Sequence, residues 1–412
     1  MSGEPQYGEP GRFGGSGKRG TASGDPARMA RLDQAIAAVA AGAAELDREP
    51  RFPREAFDTL AAAGALATTI GDVRDGIGVR AGWDLLRRVA AADASVGRIL
   101  DGHQNAVERL EVVADPALRE RELAAVAAGE RLLGVWGADP GPGEGAPARL
   151  HDTGAGLVLR GAKTFCSGAG GVDAALVMVG DDGGIAPSLV LVACDTAVEV
   201  DRSWYRAAGL RASESHRVVF DDAPVIAVLG EPGELARDPW FSRDAMRTAA
   251  SWAGMVDAAA AAAVDELAER RADDPHAQLA AGRIEAAQGT VEAWLARAAA
   301  VADAALDSGT GIASDADTRS VAVAGSHPGD EAVPRELDPT VLAARPIGIA
   351  MRAEIDRAAK AILEVAAAAC GSHPFVTGGR LDRARRDLET FLLQHRLDPL
   401  LGRLGAERLA RR

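Results

Sequence analysis

The stretch from Leu157 to Gly180, LVLRGAKTFCSGAGGVDAALVMVG, decides the fold class. It contains two short segments rich in Val and Leu, separated by Gly, Asp and small residues, which is typical of neighbouring β-strands. The segments LLGVWGA before it and SLVLVAC and HRVVF after it have the same character. Residues from about 132 to 230 therefore predict a block of short strands, which the turn-forming run Asp221–Pro224 closes.

Helical patterns flank this block on both sides. Apolar residues from Met29 to Leu46 recur at three- and four-residue steps, as on one face of an amphipathic helix. Alanine-rich stretches after Trp240 predict long helices through their high helix propensity. The Gly/Pro-rich start and a later interruption lack periodicity. We therefore predict a disordered tail at 1–25, an N-terminal helical domain at 26–130, a middle β domain at 131–238, and a C-terminal helical domain at 239–412 with a flexible loop at 308–337.

Composition excludes several classes of function. The net charge of −14 argues against binding to nucleic acid or to an anionic membrane surface, and aromatic residues are only 4% of the 412. No apolar run is long enough for a membrane span or a secretory signal. The three cysteines are far apart, so they suggest neither a disulfide framework nor a zinc site. We expect a cytoplasmic protein that acts on small molecules.

Several local sequences resemble acyl-CoA dehydrogenases. Gly161–Gly168 resembles that family's strand G-x-K-x-(aromatic)-x-(Thr/Ser), and Gly209–Ser213 resembles its G-x-R-(small)-S segment. Gly371–Asp387 is similar to the segment that begins G-G-x-G and ends R-D. The resemblance implies an α+β, mostly α fold, with an N-terminal helical domain, a β-barrel-like middle domain and a C-terminal four-helix bundle. It also implies FAD held between domains and subunits of a homo-oligomer, usually a tetramer.

The same resemblance assigns residues to the flavin ring. Phe165 would form an aromatic wall, and the Ser167 hydroxyl or backbone N–H would reach flavin N5. The alternative is an ordinary strand with Phe165 in the core and Ser167 facing water. Ala138–Pro140 stands where the family has Thr-Glu-Pro, so a hydroxyl expected to contact the flavin is absent.

Two further residues match the phosphate and adenine end of FAD. Arg270 matches the arginine that reaches the phosphates across a subunit interface, and Gly371 matches the first glycine at the adenine end. The usual phenylalanine, glutamine and second glycine are replaced by Asp273, Ala368 and Ser372. A solvated cation at a helix end is an equal alternative for Arg270.

The catalytic base departs from the family pattern. Dehydrogenation of an acyl thioester needs a carboxylate that removes the α proton, usually a Glu eight residues after the Asp of the R-D pair. Counted from Asp387, that position is His395, which shares a helix face with Phe391. Asp244 lies near the base position that other family members use. His395 and Asp244 are thus the candidate catalytic residues; a helix-end histidine and a helix N-terminal charge are the alternatives.

Three functions remain open at this point. The first is FAD-dependent α,β-dehydrogenation of an acyl thioester, with an electron-transfer flavoprotein as partner. The second is a two-component monooxygenase of the same fold, which takes reduced flavin from a flavin reductase. Such enzymes often lack the Glu and use His and Ser near the flavin, a pattern that His395, Ser167 and His103 fit. The third is a family member that has lost catalysis.

Overall fold

The computed structural model describes residues 26–410 except for 76, 181–186, 196, 235–238, 308–338 and 395. The predicted tail at 1–25, the predicted loop at 308–337 and the candidate base His395 lie outside the described residues. The described elements follow the predicted order of helices, strands and helices.

Five helices open the part of the chain that the structure describes. The face predicted from periodicity is buried in the first of them, where Leu32, Val39 and Leu46 all point into the core. Asp93 and Asp115 cap the fourth and fifth helices by accepting hydrogen bonds from backbone N–H groups of the first turn. The helices are α1 (Pro26–Arg48), α2 (Arg54–Ala62), α3 (Arg80–Ala92), α4 (Ala94–Val113) and α5 (Pro116–Ala127).

Seven strands of the described residues form one mixed sheet. They are β1 (Leu133–Trp136), β2 (Arg149–Asp152), β3 (Leu157–Cys166), β4 (Ala174–Val179), β5 (Ser188–Ala193), β6 (Val198–Asp201) and β7 (His216–Leu229). The order across the sheet is β1-β4-β5-β7-β3-β2, with β6 also paired to β7. Only the β1–β4 pair is parallel among the described strands.

The prediction that Asp221–Pro224 ends the strand block is wrong. These residues lie inside β7, which pairs with β3 and β6 in its first half and with β5 in its second half. Asp222 has a φ of 52°, and the register between β3 and β7 shifts at this point. The turn-forming residues therefore produce a bulge within a long strand.

The C-terminal part returns to helices, which pack on α3, on α4 and on one another. They are α6 (Trp240–Arg271), α7 (Pro275–Asp307), α8 (Pro339–Cys370), α9 (His373–Val376), α10 (Arg380–Leu392) and α11 (Asp398–Ala410). α6 packs against α3, α7, α8 and α10. It approaches α3 closely at Gly254, where an added Cβ would lie 2.0 Å from the carbonyl oxygen of Arg87. Within the described residues, no helix combines the length and apolar character that crossing a membrane requires.

Candidate functional site

A cavity of about 310 Å³ lies where α4, α6 and α8 meet the sheet. This volume is at the lower end of the range for small-molecule sites. The helices supply its arginines and aspartates, and Glu231 and Glu234, in the segment after β7, add two carboxylates. The strands, with the first turn of α6, supply its apolar wall. The charged lining residues include Arg98, Asp101, Arg109, Asp244 and Arg352, and the apolar ones include Val135, Met178, Leu189, Leu229 and Phe241.

Asp244, the candidate base on α6, lies between two arginines. Its carboxylate forms ion pairs with Arg109 of α4 and with Arg247 one turn further along α6. Burial alone would raise the pKa of Asp244, but the two positive charges outweigh burial and lower the pKa below 3.8. The carboxylate is therefore ionised at neutral pH and is a weak proton acceptor in this arrangement.

Asp101, the other carboxylate in the depth of the cavity, is also engaged. It accepts hydrogen bonds from Arg98 at 3.0 Å, from Arg247 at 3.3 Å and from the Thr248 hydroxyl at 3.1 Å. Its side chain is only 3% exposed. Asp101 and the partly buried Asp244 therefore both act as counter-charges for arginine.

Arg352 of α8 differs from the other arginines of the cavity. It is 4% exposed, and its guanidinium lies 5.4 Å from the ring centroid of Trp252. Its Nε and Nη2 atoms have no hydrogen-bond partner in the part of the chain that the structure describes. Burial lowers the pKa of Arg352 to about 10, with no compensating contribution from a carboxylate.

Sequence reasoning missed Arg352, although the sequence carried a signal. Arg352 lies three residues from both Ile349 and Ile355, which are buried, so it falls on the core-facing side of α8. A cation on an apolar helix face indicates either a buried partner or a ligand.

Phe165, the candidate flavin wall, lies at the end of β3 and is 54% exposed. Its φ of 52° is rare for a bulky residue and indicates local backbone strain. The ring packs edge to face on Trp204, with 4.8 Å between centroids and an interplanar angle of 85°. The alternative of a core phenylalanine is therefore wrong, and an aromatic surface faces outward here.

Ser167, expected to reach the flavin, is buried and has partners within the protein. Its backbone N–H donates to the carbonyl of Phe165 at 2.9 Å. Its hydroxyl shares a hydrogen bond of 2.9 Å with Ser215, which in turn contacts Ser213 at 2.7 Å. The alternative of a water-facing Ser167 is thus wrong, while contact with flavin N5 stays a prediction.

The segment Gly137–Asp139 connects Phe165 to the cavity. Lys163 of β3 donates to the Gly137 carbonyl at 3.1 Å and to Asp139 Oδ1 at 2.7 Å. The Thr164 N–H donates to the Ala138 carbonyl at 3.0 Å. At the other side of this segment, a Cβ on Gly137 would lie 3.2 Å from Sδ of Met178, a residue of the cavity wall. The Gly137–Asp139 segment therefore contacts the two residues that precede Phe165 on β3 and, through Gly137, a residue of the cavity wall.

Arg270 and Gly371 lie together, far from Asp244. Arg270 contacts His373 Nδ1 at 2.9 Å and pairs with Glu266 at 3.4 Å, with 43% of its side chain exposed. Gly371 follows α8 with a φ of 71°, and a Cβ added there would meet no atom within 4 Å. Residues 244 and 270 are separated by about 39 Å along α6, at 1.5 Å per residue. The predicted base Asp244 and the predicted phosphate-binding residue Arg270 therefore lie near opposite ends of α6.

α10 ends at Leu392, so the helix face predicted to run from Asp387 to His395 stops at Phe391. Asp387 accepts a hydrogen bond of 2.6 Å from the backbone N–H of Leu210, and burial raises its pKa to about 7. Phe391 packs edge to face on Trp252 with a centroid distance of 6.0 Å. Gln394 lines the cavity, and the next residue, His395, is not described. A catalytic role of His395 stays a prediction.

Comparison with known proteins identifies the fold. A model of the acyl-CoA dehydrogenase N-terminal domain matches residues 30–130. The structure is similar to methanesulfinate monooxygenase MsuC from Pseudomonas fluorescens, with a TM-score of 0.75 and 19% identity over 94% of this chain and 97% of that one. It is also similar to dibenzothiophene monooxygenase TdsC from Paenibacillus sp. A11-2 in complex with FMN and indole, with a TM-score of 0.73 and 18% identity over 94% and 98% of the two chains.

A curated relative covers part of the chain. The L-evernosamine nitrososynthase of a Micromonospora species is 32% identical over 209 residues, which are 47% of this chain and 48% of that protein. The match thus spans about half the length of that relative. The chain has the acyl-CoA dehydrogenase-like fold and carries that family's N-terminal domain at residues 30–130. The resemblance and the fold class predicted from sequence are confirmed.

Proposed function

We propose that this chain is a flavin-dependent monooxygenase that acts on a small organic molecule in the cavity between α4, α6 and α8. One observation carries the proposal: Asp101 and Asp244, the carboxylates that α4 and α6 contribute to the cavity, are both paired with arginines. A base that removes a proton next to a thioester needs a raised pKa and a free oxygen, whereas the pKa of Asp244 is lowered. This arrangement supports oxygenation over α,β-dehydrogenation.

The similar proteins named above support the same choice. Two of them are monooxygenases and the third is a nitrososynthase. An enzyme that adds oxygen to a substrate with reduced flavin does not require a carboxylate beside an acyl α carbon. The absence of the usual Glu, replaced by His395, agrees with this requirement.

The residues around Phe165 fit a flavin ring. An exposed aromatic side chain held in a strained backbone conformation offers an apolar surface for a planar group. Trp204 supports that ring from behind, and the Gly137–Asp139 segment leads from it to the cavity. A bound reduced flavin would supply the electrons that activate O₂. The paired charges of α4 and α6 would hold the substrate pocket in shape while this occurs.

We expect the flavin to be FMN. FMN is present in the TdsC complex, and this chain departs from the FAD pattern at Asp273, Ala368 and Ser372. These departures lie near Arg270 and Gly371, where the resemblance locates the adenine half of FAD. A flavin reductase as partner and a homo-oligomeric assembly, as inferred from the resemblance, belong to the same proposal.

Calorimetric titration tests the flavin site. We expect wild-type protein to bind FMN more tightly than FAD and Phe165→Ala to weaken binding by about tenfold, as for the loss of an aromatic stacking contact. Ile226→Ala is a matched control because Ile226 is an exposed apolar residue on another part of the sheet. Equal binding of FMN by the Phe165→Ala and Ile226→Ala variants would contradict the assigned site.

Two experiments distinguish a monooxygenase from an acyl-CoA dehydrogenase. With a flavin reductase, NADH and ¹⁸O₂, we expect ¹⁸O incorporation into at least one member of a panel of amino sugars, sulfinates and sulfur or nitrogen heterocycles. In an anaerobic titration with butyryl-, octanoyl- and palmitoyl-CoA, we expect no loss of the visible absorbance of oxidised flavin. Loss of that absorbance with any thioester would instead establish a dehydrogenase.

A further inference from the structure

Among the residues that the structure describes, Arg352 is a buried cation without a counter-charge. The other arginines that line the cavity in the described part of the chain each have a carboxylate partner: Arg98 pairs with Asp101, and Arg109 pairs with Asp244. Arg352 lines the same cavity at 4% exposure, with Nε and Nη2 unbonded within the described residues. A buried unpaired charge is unfavourable for folding, so its retention calls for a compensating role.

The geometry around Arg352 indicates what would compensate it. The ring of Trp252 covers the guanidinium at 5.4 Å, which leaves the N–H groups at its edge as the free donors. A guanidinium presents these donors as a planar fork, which matches the two oxygens of a carboxylate or a sulfonate. The nearby wall of Val135, Leu229 and Phe241 is apolar. The cavity therefore combines an oxyanion-binding end with an apolar surface.

We propose that Arg352 binds the anionic group of the substrate, which is an organic oxyanion with an apolar body. The assignment of this ligand as a substrate rests on the proposed monooxygenase function. Because Asp101 and Asp244 are already neutralised by Arg98, Arg109 and Arg247, they do not oppose entry of a second negative charge.

Calorimetric titration of flavin-free protein with benzoate, hexanoate and benzenesulfonate tests the proposal, with benzamide as the neutral probe. We expect at least one of the three anions to bind wild-type protein. Benzamide should bind at least about tenfold more weakly, because it cannot form the charged hydrogen bonds that an oxyanion makes with the guanidinium. Preference for the carboxylates or for the sulfonate identifies the anion. Arg352→Met should weaken anion binding by about tenfold or more, and Arg352→Lys should weaken it less because Lys keeps the charge but lacks the fork.

Arg357→Met is the matched control. It lies on the same helix, is exposed and pairs with Glu354 at 2.6 Å, so we expect anion binding to be unchanged. Absence of binding of all three anions to wild-type protein, equal binding of benzamide, or full binding by Arg352→Met would overturn the proposal.

Thermal unfolding of the ligand-free variants provides a second readout. Replacing an unpaired buried cation by Met should raise the melting temperature, whereas a structural role for Arg352 predicts a lower one. A lowered melting temperature of Arg352→Met, together with anion binding by Arg352→Lys that is as tight as in wild type, would also overturn the proposal. These measurements need neither flavin nor O₂. A failure of the ¹⁸O experiment would therefore leave the anion site intact, and a failure of the anion titration would leave the flavin assignment intact.

Discussion

His103 makes the stability of the junction between α4 and the sheet depend on pH. The ring is fully buried, with Nε2 3.0 Å from the carbonyl oxygen of Leu66 and Nδ1 3.1 Å from the backbone nitrogen of Leu133. Because the Leu133 N–H can only donate, Nδ1 accepts, and Nε2 carries the proton that Leu66 accepts. The folded protein therefore requires the neutral ring, and protonation of Nδ1 would remove the acceptor for Leu133.

The magnitude follows from the pKa of this histidine. Burial lowers the pKa of His103 from 6.5 to about 4. Between these two values the unfolded chain binds a proton that the folded protein does not bind, so stability falls as the pH decreases. The stabilisation that the neutral His103 ring gives is fully present above the pKa of the unfolded chain. It is lost progressively as the pH falls to the pKa of the folded protein. Between about pH 7.5 and pH 5.0 it amounts to about 2 kcal/mol of unfolding free energy.

Urea unfolding of wild type and His103→Gln at both pH values measures this contribution. Glutamine supplies one donor and one acceptor but does not titrate, so we expect wild type to lose about 2 kcal/mol more than the variant on acidification. Burial raises the pKa of Asp72 to about 8 and that of Asp387 to about 7, which changes stability with pH in the opposite direction. Both carboxyls are present in both proteins, so their effect cancels in the difference. An equal loss in the two proteins would refute the reasoning.

Three other substitutions have clear expected outcomes. Asp244→Asn removes the counter-charge of two arginines, so it should lower the unfolding free energy by about 3 kcal/mol, measured by urea unfolding. A variant of unchanged stability that lost turnover would instead support Asp244 as a base. Gly254→Ala would bring a Cβ to 2.0 Å from the Arg87 carbonyl oxygen and should lower the melting temperature. Gly289→Ala, at an exposed site on α7 with no atom within 4 Å of the added Cβ, should raise it; the opposite ranking in a thermal scan would contradict the assigned contact between α3 and α6.

Sequence patterns predicted the fold where the periodicity was strong. The apolar stripe of α1 and the Val/Leu segments of the sheet each correspond to an element at the predicted place. The pattern was misleading at Asp221–Pro224, because a bulge accommodates Asp222 at positive φ inside a strand. β2 and β6 are only four residues long, which is too short for an alternating pattern to be recognised.

The candidate site was less predictable, because its chemistry depends on contacts between distant segments. Phe165 could be chosen from the resemblance, but its exposure and its contact with Trp204 required the structure. Arg352 lies more than 200 residues from Arg98 and Arg109 in the sequence. Nothing in the local sequence shows that those two arginines have carboxylate partners and that Arg352 does not.

Asp244 shows which contacts of a site can be predicted from the sequence. Arg247 stands three residues later on the same helix, so one of the two ion pairs could be inferred from spacing alone. The other partner, Arg109, comes from a helix 135 residues away, and it completes the pairing that lowers the pKa of Asp244. With one arginine at its side, a partly buried aspartate remains a plausible base. With an arginine on each side it is a counter-charge, and the proposal of an oxygenase over a dehydrogenase rests on that second contact.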